Sequence, residues 1–199
     1  MRLGPAALRV AVALVMALGL VLLTGCAESS DLGDSESQNY VSGDGTVSEF
    51  APANRGEPID FSAPSETGET ITAEQFRGQV MVVNFWYAAC PPCRTEAPWL
   101  EELHQQFSVD GVQFLGVNVR DTAATSLSFT TAFGITYPSV IDDQAEVTAA
   151  FAGIASPTAV PTTVVLDREG RPAARIVGLI EPSTLEALIE TALAEDTGS

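Results

Sequence analysis

The chain has 199 residues and a formal net charge of −17, and its nine basic side chains are all arginines. So acidic a chain repels phosphates and anionic headgroups, which excludes nucleic acid and anionic lipid as direct partners. Its length is that of one domain with extensions, and a hydrophobic fraction of 46% is ordinary for a globular protein with an apolar leader.

The first 26 residues have the pattern of an export signal. Arg2 and Arg9 precede Val10–Leu23, which is apolar and uncharged over 14 residues, a length typical of a signal peptide and short for a membrane span. The following Thr24-Gly25-Cys26 completes a resemblance to the lipobox of bacterial lipoproteins. We predict a signal peptide over residues 1–25 and lipid attachment at Cys26, with a short uncleaved anchor as the alternative. Either places the remainder on the extracytoplasmic face of the cell membrane.

Residues 26–57 are rich in acidic and small polar residues and poor in apolar ones. Because such a segment cannot bury a core, we predict a disordered acidic tether between the membrane and a folded domain over residues 58–196.

Hydrophobic periodicity from Pro58 onward predicts an α/β domain. Thr72–Gln75 has the spacing of a capping box, and Gly111 and Gly134 are expected to end helices. Asp121 is the expected N-cap of the helix that ends at Gly134. The order of elements predicts a mixed sheet flanked by helices. The predicted strands are Ile59–Ser62, Thr70–Ile71, Val80–Phe85, Val112–Val119, Ser139–Asp142, Thr162–Asp167 and Ala173–Val177. The predicted helices are Cys93–Val109, Thr122–Phe133, Ala145–Phe151 and Pro182–Ala194.

Cys90-Pro91-Pro92-Cys93 lies between the strand Val80–Phe85 and a helix, where a pair of cysteines is a redox dithiol or half of a zinc site. The third cysteine, Cys26, belongs to the leader and leaves no second pair for zinc, so we expect no metal. Cysteines at i and i+3 on a first helical turn lie within disulfide distance, and Pro91 suits the first helical position.

The two sulfurs should differ. Cys90 lies at the helix N-terminus, where backbone N–H groups and the helix dipole favour a thiolate, whereas Cys93 lies one turn inward and is shielded. We therefore expect a solvent-facing Cys90 that attacks the partner's disulfide and a sheltered Cys93 that resolves the mixed disulfide. A purely structural disulfide is the alternative.

The block Asn84-Phe85-Trp86-Tyr87-Ala88-Ala89-Cys90-Pro91-Pro92-Cys93-Arg94-Thr95-Glu96-Ala97-Pro98 resembles the active-site block of TlpA/ResA-type thioredoxin-like proteins, and the likeness extends over about Pro58–Leu193. The resemblance implies a thioredoxin-like fold with an N-terminal hairpin and a central insertion. It implies dithiol–disulfide exchange outside the membrane, often on apocytochrome c, with the Cys90–Cys93 disulfide in place of any other cofactor.

The resemblance also assigns roles to single residues. Glu96 matches a partly buried glutamate that handles the proton of the dithiol, and Pro161 matches a cis-proline that faces the dithiol and presents the backbone of Val160 to a substrate strand. Trp86, Pro91, Pro92 and Val160 are the residues expected to contact the substrate. The only histidine, His104, is expected on a solvated face of the helix. Ala89 departs from the family, which often has an aromatic residue there.

The implied partners are exported proteins carrying disulfides or thiols, a transmembrane thiol donor, and the membrane through the lipid; we expect a monomer. Three alternatives remain open. The same fold could act as an oxidase that forms disulfides. A peroxidase would want threonine three residues before Cys90, where Tyr87 stands. A copper chaperone of related fold would need another cysteine spacing and a histidine more distant than His104.

Overall fold

The structure is a computed structural model that describes residues 40–41, 46–155 and 159–195. The predicted signal peptide and Cys26 lie outside these residues, as does the predicted tether up to residue 39 and over residues 42–45. In the described residues, no helix has the length and hydropathy that crossing a bilayer requires.

The described strands form a seven-stranded mixed sheet in the order β1-β2-β9-β8-β5-β6-β7 and a separate hairpin of β3 and β4. The strands are β1 (Tyr40–Val41), β2 (Val47–Glu49), β3 (Ser62–Pro64), β4 (Thr70–Thr72), β5 (Met81–Trp86), β6 (Gln113–Asn118), β7 (Ser139–Ile141), β8 (Thr162–Leu166) and β9 (Pro172–Val177). The α-helices are α1 (Pro91–Phe107), α2 (Ala123–Phe133), α3 (Glu146–Ala150) and α4 (Pro182–Ala194). This arrangement confirms the predicted thioredoxin-like mixed sheet flanked by helices.

The central strand β5 is buried over all six residues because both its edges and both its faces are covered. It pairs in parallel with β6 and antiparallel with β8. Successive side chains point to opposite faces of the sheet. Val82 packs with Leu100 of α1 and Ile189 of α4, while Phe85 lies in a second cluster on the opposite face with Phe151.

The expected hairpin and insertion are both present. Strands β3 and β4 pair antiparallel from Ser62 to Thr72, and the predicted capping box then opens a short 3-10 helix, Ala73–Phe76. The insertion consists of α2 and of β7, which adds to β6 in parallel. Gly111 and Gly134 adopt the left-handed conformation at φ 81° and 68°, which suits glycine at helix ends.

The predicted tether is wrong in its C-terminal part. Strand β2 pairs antiparallel with β9, so the sheet extends beyond the predicted boundary at residue 57. Arg55 follows β2, and its side chain is 3% exposed; it binds Asp167 at 3.0 Å and Glu195 at 2.6 Å. These ion pairs and the pairing of β2 with β9 hold residues 47–55 against the domain, although their composition alone predicts a tether.

Candidate active site

The two cysteines form a disulfide at the N-terminus of α1. Cys90 is the N-cap, its backbone extended at φ −74° and ψ 114°, and Pro91 and Pro92 occupy helical positions that need no N–H partner. The first free donor is therefore the N–H of Cys93, which donates to Cys90 Sγ at 3.2 Å. The Cα atoms are 5.3 Å apart, within the usual range for a disulfide.

The expectation of a solvent-facing Cys90 is wrong for this disulfide form. Cys90 is 1% exposed and Cys93 is 2% exposed. Both belong to a small cluster with Trp86, Ala97 and Phe129, which covers the sulfurs. Exposure therefore does not distinguish the two cysteines here. The hydrogen bond from the backbone N–H of Cys93 distinguishes them, because it places the positive end of a backbone dipole at Cys90 Sγ.

Glu96 is fully buried one turn after Cys93. Its Oε1 accepts a hydrogen bond from Asn84 Nδ2 at 2.8 Å, and its Oε2 accepts one from the backbone N–H of Ile180 at 3.2 Å. Burial raises the pKa of Glu96 from 4.5 to about 7, although the hydrogen bonds from Asn84 and Ile180 oppose the rise. The carboxyl group is therefore poised to exchange a proton near neutral pH.

Cys93 and Asn84 both line a small crevice inside the domain. Because Glu96 lies three residues after Cys93 on α1, the two side chains occupy the same face of the helix. Tyr137 also lines the crevice, and burial, with a smaller contribution from the charge of Glu96, raises its pKa above the ordinary value of 10. Tyr137 therefore stays protonated at neutral pH.

The loop before β8 has the predicted backbone geometry. The Val160–Pro161 peptide is cis, as expected from the family resemblance. Val160 packs against the cysteine cluster and is half-buried, whereas Pro161 is buried and its carbonyl accepts the N–H of Gly178 at 2.8 Å. The contact of Val160 with this cluster places the loop beside the disulfide.

The other residues expected to meet a substrate differ in exposure. Pro91 and Ala89 are exposed, and Pro92 is half-buried. Trp86 is only 5% exposed and packs on Phe129 with ring centroids 4.5 Å apart, so its evident role is packing. Its contact with a substrate stays a prediction.

Two polar residues lie elsewhere than the sequence suggested. Asp121 does not cap α2; Thr122 does, while Asp121 Oδ2 accepts hydrogen bonds from the backbone N–H of Ala88 and from Asn118 Nδ2. Asp121 thereby holds the turn before Cys90, a long-range contact without any local sequence signal.

The prediction of a solvated His104 is also wrong, because its ring is half-buried against Phe114 and Tyr137.

Over residues 56–172 the sequence matches the family described as the AhpC/TSA family. It is 31% identical over 132 residues to the thiol-disulfide oxidoreductase ResA of Geobacillus kaustophilus, which covers 66% of this chain and 74% of that relative. It is 34% identical over 144 residues to the thiol:disulfide interchange protein HelX of Rhodobacter capsulatus, covering 72% of this chain and 75% of HelX. The chain belongs to the AhpC/TSA family, as a ResA-type thiol–disulfide oxidoreductase.

The fold of this thiol–disulfide oxidoreductase agrees with that assignment. A secreted thiol-disulfide isomerase from Corynebacterium glutamicum superposes with a TM-score of 0.71 at 29% identity, over 79% of this chain and 98% of the other. A DsbF homologue from Corynebacterium diphtheriae gives a TM-score of 0.68 at 28% identity, over 77% and 98%. In the described part of this oxidoreductase, no three His, Cys, Asp or Glu side chains gather as metal ligands.

Proposed function

We propose that the chain reduces disulfides of exported proteins through the Cys90–Cys93 couple. The Cys90 thiolate attacks one sulfur of the partner's disulfide, so that a mixed disulfide forms and one partner thiol leaves. Cys93 loses its proton, attacks Cys90 Sγ and forms the intramolecular disulfide, which releases the second partner thiol. One partner disulfide becomes two thiols while two thiols of this chain are oxidised, and a transmembrane thiol donor restores them. The couple needs no other cofactor in this proposal.

The observation that carries the proposal is the buried carboxyl group of Glu96 behind Cys93. With a pKa of about 7, Glu96 is about half ionised at neutral pH, so it can accept the Cys93 proton during resolution and return one during reduction. In the same proposal, Pro161 and Val160 present a backbone edge to the substrate strand, and Pro91 and Pro92 form the facing surface.

The surroundings of Cys90 support the direction of reduction. The N–H of Cys93 donates to Cys90 Sγ, the chain contains no lysine, and the only histidine packs on Phe114 and Tyr137. Arg94 and Arg120, which flank the turn before Cys90, are stacked on aromatic rings. A helix terminus stabilises a thiolate by at most about 2 kcal/mol, and the burial of Cys90 among apolar side chains opposes that stabilisation, so we do not expect a strongly oxidising couple. A pKa of about 7 accompanies a reducing potential in thioredoxin, whereas a strongly oxidising couple has a pKa of about 3.5.

The proposed location is the extracytoplasmic face of the cell membrane, with a lipid on Cys26. The resemblance of residues 23–26 to a lipobox supports it, as does the likeness to the secreted thiol-disulfide isomerase of Corynebacterium glutamicum. Apocytochrome c is the proposed substrate among exported proteins, by resemblance to the family. We propose that the chain acts as a monomer and binds neither metal nor nucleic acid.

The proposal is tested by turnover of a protein disulfide with the reduced chain and two single-cysteine variants. Cys93→Ser should accumulate a mixed disulfide at Cys90 that persists without a reductant, while Cys90→Ser should form none. Equal trapping by both variants would contradict the assigned order of attack. Consumption of peroxide by the dithiol, at a rate that exceeds disulfide reduction, would favour the peroxidase alternative instead.

A further inference from the structure

Two arginines flank the turn that leads into the disulfide, and both are held on aromatic rings. The Arg94 guanidinium carbon lies 5.0 Å from the ring centroid of Phe133, and Arg94 Nη1 donates to the carbonyl of Ala88 at 3.2 Å. The Arg120 guanidinium carbon lies 4.1 Å from the ring centroid of Tyr87. Tyr87 and Ala88 lie three and two residues before Cys90, whose N–H donates to the Tyr87 carbonyl at 3.1 Å. We call Arg94 and Arg120 the arginine rim.

The arginine rim is exposed and lacks carboxylate partners. Arg55, Arg77 and Arg171 each pair with an acidic side chain of the protein. Among the described residues, neither Arg94 nor Arg120 has a carboxylate within salt-bridge distance, although the chain contains 26 acidic residues. Arg175 also has no carboxylate of the described residues within that distance, but it is half-buried and donates to the Ile154 carbonyl and to Ser48 Oγ. Arg94 and Arg120 differ from it because they are exposed beside the disulfide.

The carboxylate next to the rim in sequence is committed elsewhere. Asp121 is half-buried, and its Oδ2 accepts the N–H of Ala88 at 2.6 Å and Asn118 Nδ2 at 2.9 Å. It fixes the turn to which Arg94 also donates. Stacking on aromatic rings orients a guanidinium plane and leaves its N–H edge free to donate, and that edge matches a carboxylate in two-point geometry.

We infer that the arginine rim binds carboxylate side chains of the partner protein, and that the preferred substrate carries Asp or Glu within two residues of its reacting cysteine. This inference rests on the proposed function, because it names the substrate class of the same disulfide site. Charges at the edge of an interface act mainly on the association rate and its salt dependence. The rim therefore selects among disulfides rather than changing the chemistry at sulfur.

The test uses the reduced full-length chain and three peptides with one central cysteine, flanked on both sides by Asp, by Gln or by Lys. Each cysteine is linked by a disulfide to 2-mercaptoethanol, which is uncharged. Each peptide's rate with dithiothreitol, a neutral reductant, corrects for its intrinsic reactivity. We expect the corrected second-order rate constant for the Asp peptide to exceed that for the Gln peptide by roughly three- to tenfold at low ionic strength, with the Lys peptide slowest. The preference should approach unity at about 0.5 M salt.

Variants with defined charge separate local recognition from the overall field. Arg94→Gln combined with Arg120→Gln should abolish the Asp-over-Gln preference. Each single variant, Arg94→Gln or Arg120→Gln, should lose part of the preference and is compared with Arg168→Gln, which removes the same single charge. Arg168 lies beyond the opposite end of β8 from Pro161, so this control should keep the preference. An Asp-to-Gln ratio of one in the wild type, or an equal loss in the control, overturns the inference. Failure of the reduced chain to reduce even the Gln peptide would overturn the proposed function itself.

Discussion

Replacement of the buried carboxyl group, Glu96→Gln, should remove a large part of the pH dependence of stability. The folded chain binds the Glu96 proton more tightly than the unfolded chain, because burial raises the pKa of Glu96 from 4.5 to about 7. The stabilisation from this proton is complete below about pH 4.5 and is lost as the pH rises through 7. A shift of this size corresponds to about 3 kcal/mol of unfolding free energy.

The assay is urea unfolding of the disulfide form between pH 4 and 8, for the wild type and the variant. The stability difference between the two proteins should change by about 3 kcal/mol across that range, with the variant relatively more stable at pH 8. Glu102→Gln is the matched control, because Glu102 is exposed on the same helix α1; it should run parallel to the wild type. Parallel curves for Glu96→Gln would refute the assignment of a neutral buried carboxyl group at low pH.

Three further substitutions test the surroundings of the site. Asn84→Ala removes the donor to Glu96 Oε1, so the pKa of Glu96 should rise further, by roughly one unit in a carboxyl NMR titration, and an unchanged pKa would contradict the assigned hydrogen bond. Arg55→Met leaves the buried Asp167 without one partner and should lower the free energy of unfolding by about 3 kcal/mol in urea unfolding. An unchanged free energy of unfolding would contradict the packing of residues 46–57 against the domain. Gly116→Ala places a methyl group against Ser139 Oγ and 2.7 Å from Trp86 Nε1, which should destabilise the fold by about 1–3 kcal/mol and shift tryptophan emission. Unchanged emission would contradict this packing.

The elements nearest the site are those whose local patterns agree with their tertiary surroundings. Val80–Phe85 is apolar except for Asn84, and the strand found there is buried on both faces. The helix predicted over Pro182–Ala194 has these same bounds in the structure, with Pro182 at its first position and a single apolar face. Periodicity is decisive where one face or both faces of an element meet the core.

Long-range polar contacts are what the sequence did not reveal. Arg55 binds residues 112 and 140 positions away, so an acidic segment with the composition of a tether packs against the domain. Asp121 was predicted as a helix cap from its local position, but its carboxylate instead accepts a hydrogen bond from the backbone N–H of Ala88. The burial of Cys90 likewise depends on Phe129 of the insertion, which no local pattern connects to the cysteine pair.

The most direct measurement for the central claim is the reduction potential of the Cys90–Cys93 couple, obtained by equilibrating the chain with thiol–disulfide buffers and following alkylation of both cysteines. A modestly acidified Cys90, with a carboxyl group one turn after Cys93 that exchanges protons near pH 7, predicts a potential of about −250 mV or lower. A value near −120 mV would contradict the reductase and would instead describe an enzyme that forms disulfides in exported proteins.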